Sequence, residues 1–467
     1  MASTRAGLRT EGALYEAINR GNKDNYFFGD DMENTVNPFE NRYDRIPPNL
    51  QELRRIPPLN GAEFGRSCEF EFETAGDIFL RPTLVIDLPS WLPSGMAAIN
   101  PVTPVVDAVT GESYGYTNGI GYFMFKKIQI FQDKLLLQEI TGDALFAMRA
   151  ARGTLNSAYL ENRLTGWHDG TPSSIGAAAT PPRLRLELPF LGGRNGFPSI
   201  AMRKQPFKLR LELRTLEDLV ETSNATAVAA PTPWTRTFTD GVHILPALTR
   251  NGLASPTLQL ETRHAYVDGE TQLALRSAPL EIAFSRPYEN TYTFGPTDYA
   301  PLVRGVPALV TERVDGQHPA SRLLWFFRSQ NDLRTNRRWR YSPDISGGEY
   351  YTGQSLIIAS RDRETFLSSL IWNVMLHHAK EDRDPGAGIG EMNWDLGDIL
   401  GRRAPWDRQP EGTVNFTTAD RPTLYTSLSA IPNDTLLGGS SSEMIAIVDT
   451  WGLYSIENDR GVLKYGN

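Results

Sequence analysis

Apolar side chains that return at every second position restrict this chain to half-buried β-strands. Cys68, Phe70 and Phe72 alternate with Glu69, Glu71 and Glu73, giving one face for a core and one acid-bearing face for solvent. Leu184, Leu186 and Leu188 repeat the pattern, as do Leu209, Leu211 and Leu213. Thr83–Leu88, bounded by Pro82 and Pro89, is a more continuous apolar run, and Lys127–Phe131 follows it. Strands with one apolar face must stack sheet on sheet to hide it, so the expectation is a β-sandwich.

Turn chemistry agrees. The chain has 467 residues with 40 glycines and 32 prolines, together about 15% against an average near 12%. At that length two domains of about 200 residues are expected rather than one core. With 47 Lys and Arg against 55 Asp and Glu, the formal charge is 47 − 55 = −8. That balance argues against a protein whose main task is gripping nucleic acid. The run Arg334, Arg337, Arg338 and Arg340 is the local exception, read here as a solvated or subunit-facing patch. Cys68 is the single cysteine, which rules out an intrachain disulfide and fits a reducing compartment. Its phase with Phe70 and Phe72 marks it as a buried, inert thiol. No run of 18 apolar residues occurs, and the first 20 residues lack the apolar core of a signal peptide, so synthesis and folding in cytosol are expected.

Along the chain, residues 1–60 read as an arm rich in Asn, Asp, Arg and Pro, with a short helix over Glu11–Arg20. A first β domain is expected over 61–222, a Thr-, Ala- and Pro-rich linker over 223–256, and a second β domain over 257–467. Its strands are read as Thr257–Val267, Leu280–Phe284, Ser321–Arg328, Ser355–Ala359, Thr413–Phe416, Leu424–Leu428 and Met444–Tyr454. Asp143 is placed as the cap of a helix over Ala144–Arg152, ended by Gly153, and Asn156 as the cap of another closed by Gly166. Phe366–His378 fits helix or strand equally. Long loops are expected near 89–120, 139–180 and 361–410.

Residues with catalytic character do not assemble into a site. His377 and His378 are adjacent, so they point to opposite sides of a strand or about 100° apart on a helix, neither a natural two-histidine ligand set. The other four histidines are scattered. Gly386-Ala387-Gly388-Ile389-Gly390 lacks the Lys-Ser/Thr of a phosphate loop, Asp382 and Asp384 supply too few ligands for calcium, and Gly29-Asp30-Asp31 has no acidic partner motif. No catalytic, cofactor-binding or metal-binding residue is therefore assigned. Asn224, Asn415 and Asn433 each satisfy the N-x-S/T acceptor pattern; Asn415 falls in an expected strand, which leaves Asn224 and Asn433 as candidate glycosylation sites.

Four segments, in order, carry a resemblance. They are the strand Pro206–Glu221; the strand His318–Asp332 with Trp339, Arg340, Tyr341 and Ser342 after it; His377-His378, then Gly390, then the block Gln409-Pro410-Glu411-Gly412-Thr413-Val414-Asn415-Phe416; and the aromatic ending Trp451–Asn467. Together they resemble the double jelly-roll major capsid proteins of nucleocytoplasmic large DNA viruses, over about residues 60–467 and most strongly in the last 150. Glu411 stands where that family usually has Ser, and Thr417, Thr418, Ala419 and Asp420 replace its common Ser-Arg-Ile-Asp, which leaves iridovirus, phycodnavirus and marseillevirus-like branches all open. The resemblance implies two consecutive eight-stranded jelly rolls with long loops and short helical insertions. It implies a structural, non-enzymatic protein that needs no cofactor and forms pseudo-hexagonal homotrimers tiling an icosahedral shell, with a minor capsid or scaffold protein of such a virus as the alternative. The implied partners are neighbouring capsomers and minor capsid, penton and inner-membrane-associated viral proteins, with no sequence-specific nucleic-acid contact. The implied location is the outer shell of the virion, assembled in host cytoplasm. His377, His378, Gln409, Pro410, Gly412, Asn415 and Phe416 enter as signature residues with a structural role.

Overall fold

The computed structural model describes residues 49–72, 76–89, 114–151, 164–167, 183–189, 196–202, 205–222, 224, 226–231, 255–277, 279–343, 348–377, 388–394, 412–457 and 460–464. Residues 1–48 of the arm expected over 1–60, its helix at Glu11–Arg20, and His378, Gln409, Pro410 and Glu411 lie outside that set, as do most of the three expected long loops.

The strands in chain order are β1 (Asn49–Ile56), β2 (Ser67–Glu71), β3 (Ile78–Asp87), β4 (Tyr114–Tyr116), β5 (Phe125–Gln132), β6 (Leu135–Ile140), β7 (Leu184–Glu187), β8 (Phe207–Leu213), β9 (Val220–Thr222) and β10 (Thr257–Val267). They continue with β11 (Leu280–Phe294), β12 (Ala308–Arg313), β13 (Pro319–Ser329), β14 (Tyr351–Ile358), β15 (Arg361–Ser368), β16 (Ile389–Asn393), β17 (Val414–Asn415), β18 (Thr423–Leu428), β19 (Ser442–Glu457) and β20 (Arg460–Lys464). Two sheets, β1-β10-β3-β7 and β2-β8-β5-β6, form the first sandwich, and every pairing in them is antiparallel. If those eight strands are ranked along the chain, the sheets run 1-8-3-6 and 2-7-4-5. The second sandwich, β11-β19-β13-β16 and β12-β18-β14-β15, repeats the same two orders. Such doubly wound Greek keys in two facing sheets are jelly rolls, and the chain holds two of them. The fold is all-β, as expected.

The pairing moves the domain boundaries read from sequence. β1 was assigned to the arm, and Thr257–Val267 to the second domain. Yet β10 lies between β1 and β3, with Leu53 opposite Arg263 and Leu260 opposite Leu84. The segment over 223–256 is thus the connection from the seventh paired strand of the first sandwich to its eighth, not a linker between domains. The link between sandwiches is the helix Gly269–Ser277. Strand alternation could not show this, because β10 has the same grammar whichever sheet completes it.

Alternation does set the cores. Cys68 and Phe70 sit opposite Leu211 and Leu209, which in turn face Ile128 and Ile130. These side chains meet Leu84, Ile86, Leu184, Leu186, Leu258 and Leu260 of the other sheet in one buried cluster. Complete burial stabilises each such side chain by roughly 1.5–3 kcal/mol. Burial also pushes the Cys68 thiol up to about 12, so it is the inert thiol expected. In the second sandwich, Leu323, Trp325 and Phe327 of β13 face its own core with Met444, Ala446 and Val448 of β19. Their alternates Leu324, Phe326, Ile445 and Ile447 join the cluster of the first sandwich instead. The central sheet is therefore buried on both faces, which explains why β13 reads as a nearly unbroken apolar run.

The stretch over 366–378 is both of the things its sequence allowed. β15 ends at Ser368, and a helical turn follows over 369–377, with π spacing across Ile371–Met375. Its Trp372 is buried and donates Nε1–H to the carbonyls of Gln354 (3.0 Å) and Leu367 (3.1 Å).

Candidate functional site

Where the two sandwiches meet, β6, the helix Gly142–Ala150 and the segment after β7 pack against the outward face of β11, β19 and β13. Phe197 and Phe207 stack near Tyr454 at 6.0 and 6.3 Å between ring centroids, and Phe146 lies 5.8 Å from Tyr341. Gln138 Nε2 donates to the carbonyl of Ser285 at 2.8 Å, and Thr141 Oγ1 to Glu289 at 2.5 Å. Every residue of the Gly142–Ala150 helix is buried. Gly142 is required there, since a Cβ would lie 2.1 Å from the carbonyl oxygen of Tyr122.

The helix starts differently from the expectation. Thr141 is the N-cap, its Oγ1 accepting from Ala144 N–H at 3.0 Å. Asp143 stands in the first turn, where the helix dipole favours an anion, and points into the junction. Arg214 of the first sandwich donates to its Oδ2 at 2.6 Å and Arg328 of the second to its Oδ1 at 2.7 Å. Arg328 also donates to Glu443 at 2.8 Å. Burial alone would push the Asp143 carboxyl up, but Arg328, Arg214 and Arg338 outweigh it and hold the group at about 2. Arg328 also lies over the Phe326 ring at 5.4 Å, which adds an aromatic face to its two carboxylate partners.

A second polar cluster crosses the same sheet. Arg322 Nε donates to Asp449 Oδ2 at 2.9 Å, and its Nη1 lies 3.7 Å from Glu391. Glu391 Oε2 lies 3.0 Å from His377 Nδ1, and His377 Nε2 donates to the carbonyl of Ile389 at 3.0 Å. His377 is wholly buried and serves to hold the 369–377 turn onto β16.

A third set fastens the segment after β13 to the small sheet formed by β4 and β9. Asn336, held at φ 64°, donates through Nδ2 to the carbonyls of Glu217 and Val220, both at 2.7 Å. Thr117 Oγ1 donates to the carbonyl of Asn336 at 2.9 Å, and Arg337 donates to the carbonyls of Thr222 and Asn224. Trp339 Nε1 donates to Glu221 Oε2 at 3.1 Å. Burial pushes the Glu221 carboxyl up to about 7 against the pull of Trp339, Arg337 and Thr117. Of the arginine run read as a solvated or subunit-facing patch, one member is buried and the other three are half-buried and tied to neighbours inside the molecule. Arg337 is buried, Arg340 pairs with Asp332, Arg334 pairs with Asp434, and burial pushes Arg338 down to about 10.

The remaining signature residues have structural settings. Gly390 sits opposite Trp325, and a Cβ there would lie 2.3 Å from the indole, so the glycine makes room for the ring. Gly412 is half-buried just before β17. Asn415 pairs with Pro319 and is exposed, its Oδ1 accepting from Thr417 N–H at 3.0 Å. Phe416 is buried against Trp394, and its N–H donates to the carbonyl of His318 at 3.1 Å. Val414 and Asn415 therefore close one end of β13, as a two-residue strand rather than the expected Thr413–Phe416. Asn433 is exposed, and Asn224 is half-buried with its Oδ1 accepting from Thr226. Among the described residues no group of three or more His, Cys, Asp or Glu side chains is placed to hold a metal ion.

Sequence reading placed Asp143 as a cap rather than an ionic tie, and missed Arg328, Arg322 and Glu221. One signal was available: Arg322 and Arg328 flank the run Leu323–Phe327, and a charge beside a strand buried on both faces needs an internal partner.

No protein-family model and no curated protein matches the sequence. Solved structures do match. PBCV-1 VP54, fitted into a reconstruction of the virophage Sputnik, superimposes with a TM-score of 0.66 at 15% identity, covering 92% of this chain and 100% of that one. The Faustovirus major capsid protein gives 0.59 at 13% identity, over 91% of this chain and 93% of its own. A chain of the Sputnik virophage gives 0.53 at 11%, over 93% and 92%. The likeness runs end to end, so the shared feature is the complete two-jelly-roll fold.

Proposed function

We propose that this chain is a shell-building capsid protein of a large double-stranded DNA virus, acting as the major capsid protein. Three copies form a pseudo-hexagonal capsomer that tiles an icosahedral outer shell. What supports this reading is that both halves share one strand order and are joined rigidly side by side, so a trimer presents six similar sandwiches. Solved chains of the same fold include a major capsid protein and a component of a virus capsid. The polar clusters at the junction fit a mechanical role: each charge is spent on a neighbour inside the molecule, and none converges on an open cleft. The partners are then copies of itself and minor capsid, penton and inner-membrane-associated proteins of the virion, with assembly in host cytoplasm and no catalysis.

Light scattering on the sizing column and negative-stain microscopy test it. The expected result is a particle of three times 52.1 kDa with a hexagonal outline. A monomer at every concentration, with no hexagonal particles, overturns the proposal. Copy number in purified virions decides between the major role and a minor capsid or scaffold role.

A further inference from the structure

The contact that joins the two sandwiches is a head-to-tail one. The side of the first sandwich that carries its fifth strand, β6, and the helix after it meets the outward face of the 1-8-3-6 sheet of the second. Because the second sandwich repeats the same strand order, it owns the same two surfaces. Its outward 1-8-3-6 face is already used. Among the described residues, no sandwich lies against its fifth strand, β15, or the helical turn over 369–377.

These two equivalent helices differ sharply in exposure. Leu145, Phe146 and Met148 in the first are buried, with Phe146 5.8 Å from Tyr341 of the neighbouring sandwich. In the second, Leu370 and Val374, one helical turn apart, and Met375 are 60%, 37% and 56% exposed. Phe366, leading into the turn, is 49% exposed. Meanwhile Trp372 and His377 fasten the inner side of the turn through the bonds described above, so the apolar side is held outward on a rigid base. The surface left over at the other end of the chain is the outward face of β1-β10-β3-β7. Strand alternation puts Leu53, Arg55, Glu261, Arg263 and Arg185 there, with Leu53 49% exposed and Glu261 paired to Arg55 and Arg185.

We infer that the apolar face of Leu370, Val374 and Met375 docks on the outward β1-β10-β3-β7 face, around Leu53 and Arg263, of a second copy of this chain. The between-chain contact then repeats the within-chain one. A heterologous contact of this kind propagates from copy to copy until it closes, here as a ring of three. The within-chain face, with Leu324, Phe326, Ile445 and Ile447, is apolar like a core; the between-chain face is mostly polar, as in partners that fold first and associate afterwards. This inference rests on the capsomer reading, and names the surfaces through which it forms.

The test uses the full chain with two variants: Leu370→Asp with Val374→Asp on the docking face, and Leu53→Asp with Arg263→Glu on the receiving face. Each alone should run as a monomer of 52.1 kDa with the far-ultraviolet circular dichroism of the parent. Mixed together they should form a dimer of twice 52.1 kDa and nothing larger, because the mixture has one intact pair of surfaces and cannot close a ring. Leu437→Asp, at a side chain 51% exposed on a different loop, should stay trimeric. Should either double variant lose its fold, the pair Leu370→Ala and Val374→Ala replaces it, with a weakened trimer expected. Trimers surviving in either double variant, or mixed variants staying monomeric, overturn the inference while leaving the capsomer intact. A monomeric parent chain overturns both.

Discussion

Replacing Asp143 by asparagine removes one negative charge from between the buried Arg328 and the partly buried Arg214 and leaves the shape of the junction unchanged. The structure sets the size of the effect by two routes. Arg328, Arg214 and Arg338 outweigh burial and hold the Asp143 carboxyl at about 2 against an ordinary 3.8, so the fold prefers its ionised form by roughly 2–3 kcal/mol. Breaking a buried pair by removing one partner costs about 3–5 kcal/mol, because the other charge is left without compensation. Arg328 retains Glu443, which argues for the lower end. The expected loss at neutral pH is therefore about 3 kcal/mol. Equilibrium urea unfolding, followed by fluorescence and circular dichroism together, measures it. The acid side supplies an independent check. A carboxyl whose folded value is depressed contributes stability that is complete above 3.8 and disappears as pH falls toward 2. The parent should lose stability across that window, and the asparagine variant should show that much less of a decline. Adding Arg328→Met, which removes the stranded charge, should recover part of the loss. A change below about 1 kcal/mol at pH 7, or identical acid limbs for parent and variant, refutes the account of Asp143 as the ionic tie between sandwiches.

Two further outcomes are expected. Glu221→Gln should match the parent near pH 4.5 and exceed it by up to about 3 kcal/mol at pH 8, because a carboxyl raised to about 7 contributes stability fully below 4.5 and loses it as pH climbs through 7; Trp339 fluorescence, read as the difference from a Trp339→Phe chain, should titrate in the parent and stay flat in the variant, and parallel stability curves would sink the assignment. Gly390→Ala should cost about 1–3 kcal/mol by forcing a methyl group into the Trp325 indole, and a urea midpoint equal to the parent's would show that the ring moves freely.

The sequence alone determined the all-β class, the positions of most central strands and the inward face of each. Those depend only on side-chain alternation, which is local: Cys68 and Phe70 fall on one side whatever strand pairs with them. It also determined, through motif resemblance, the two-jelly-roll expectation that the strand orders satisfy. Short or weakly apolar strands escaped it: exposed residues break the alternation in β6 and β15, and β12 alternates but fully buries Ala308 alone. Tertiary structure alone decided which sheet β10 completes, that β1 is a strand of the first sandwich, and that Asp143 is an ionic tie rather than a cap. Pairing across some 200 residues, as between Leu53 and Arg263, leaves no trace in either segment by itself. Charge burial is equally non-local, since Arg337 looks like part of a surface patch until the carbonyls of Thr222 and Asn224 are brought against it.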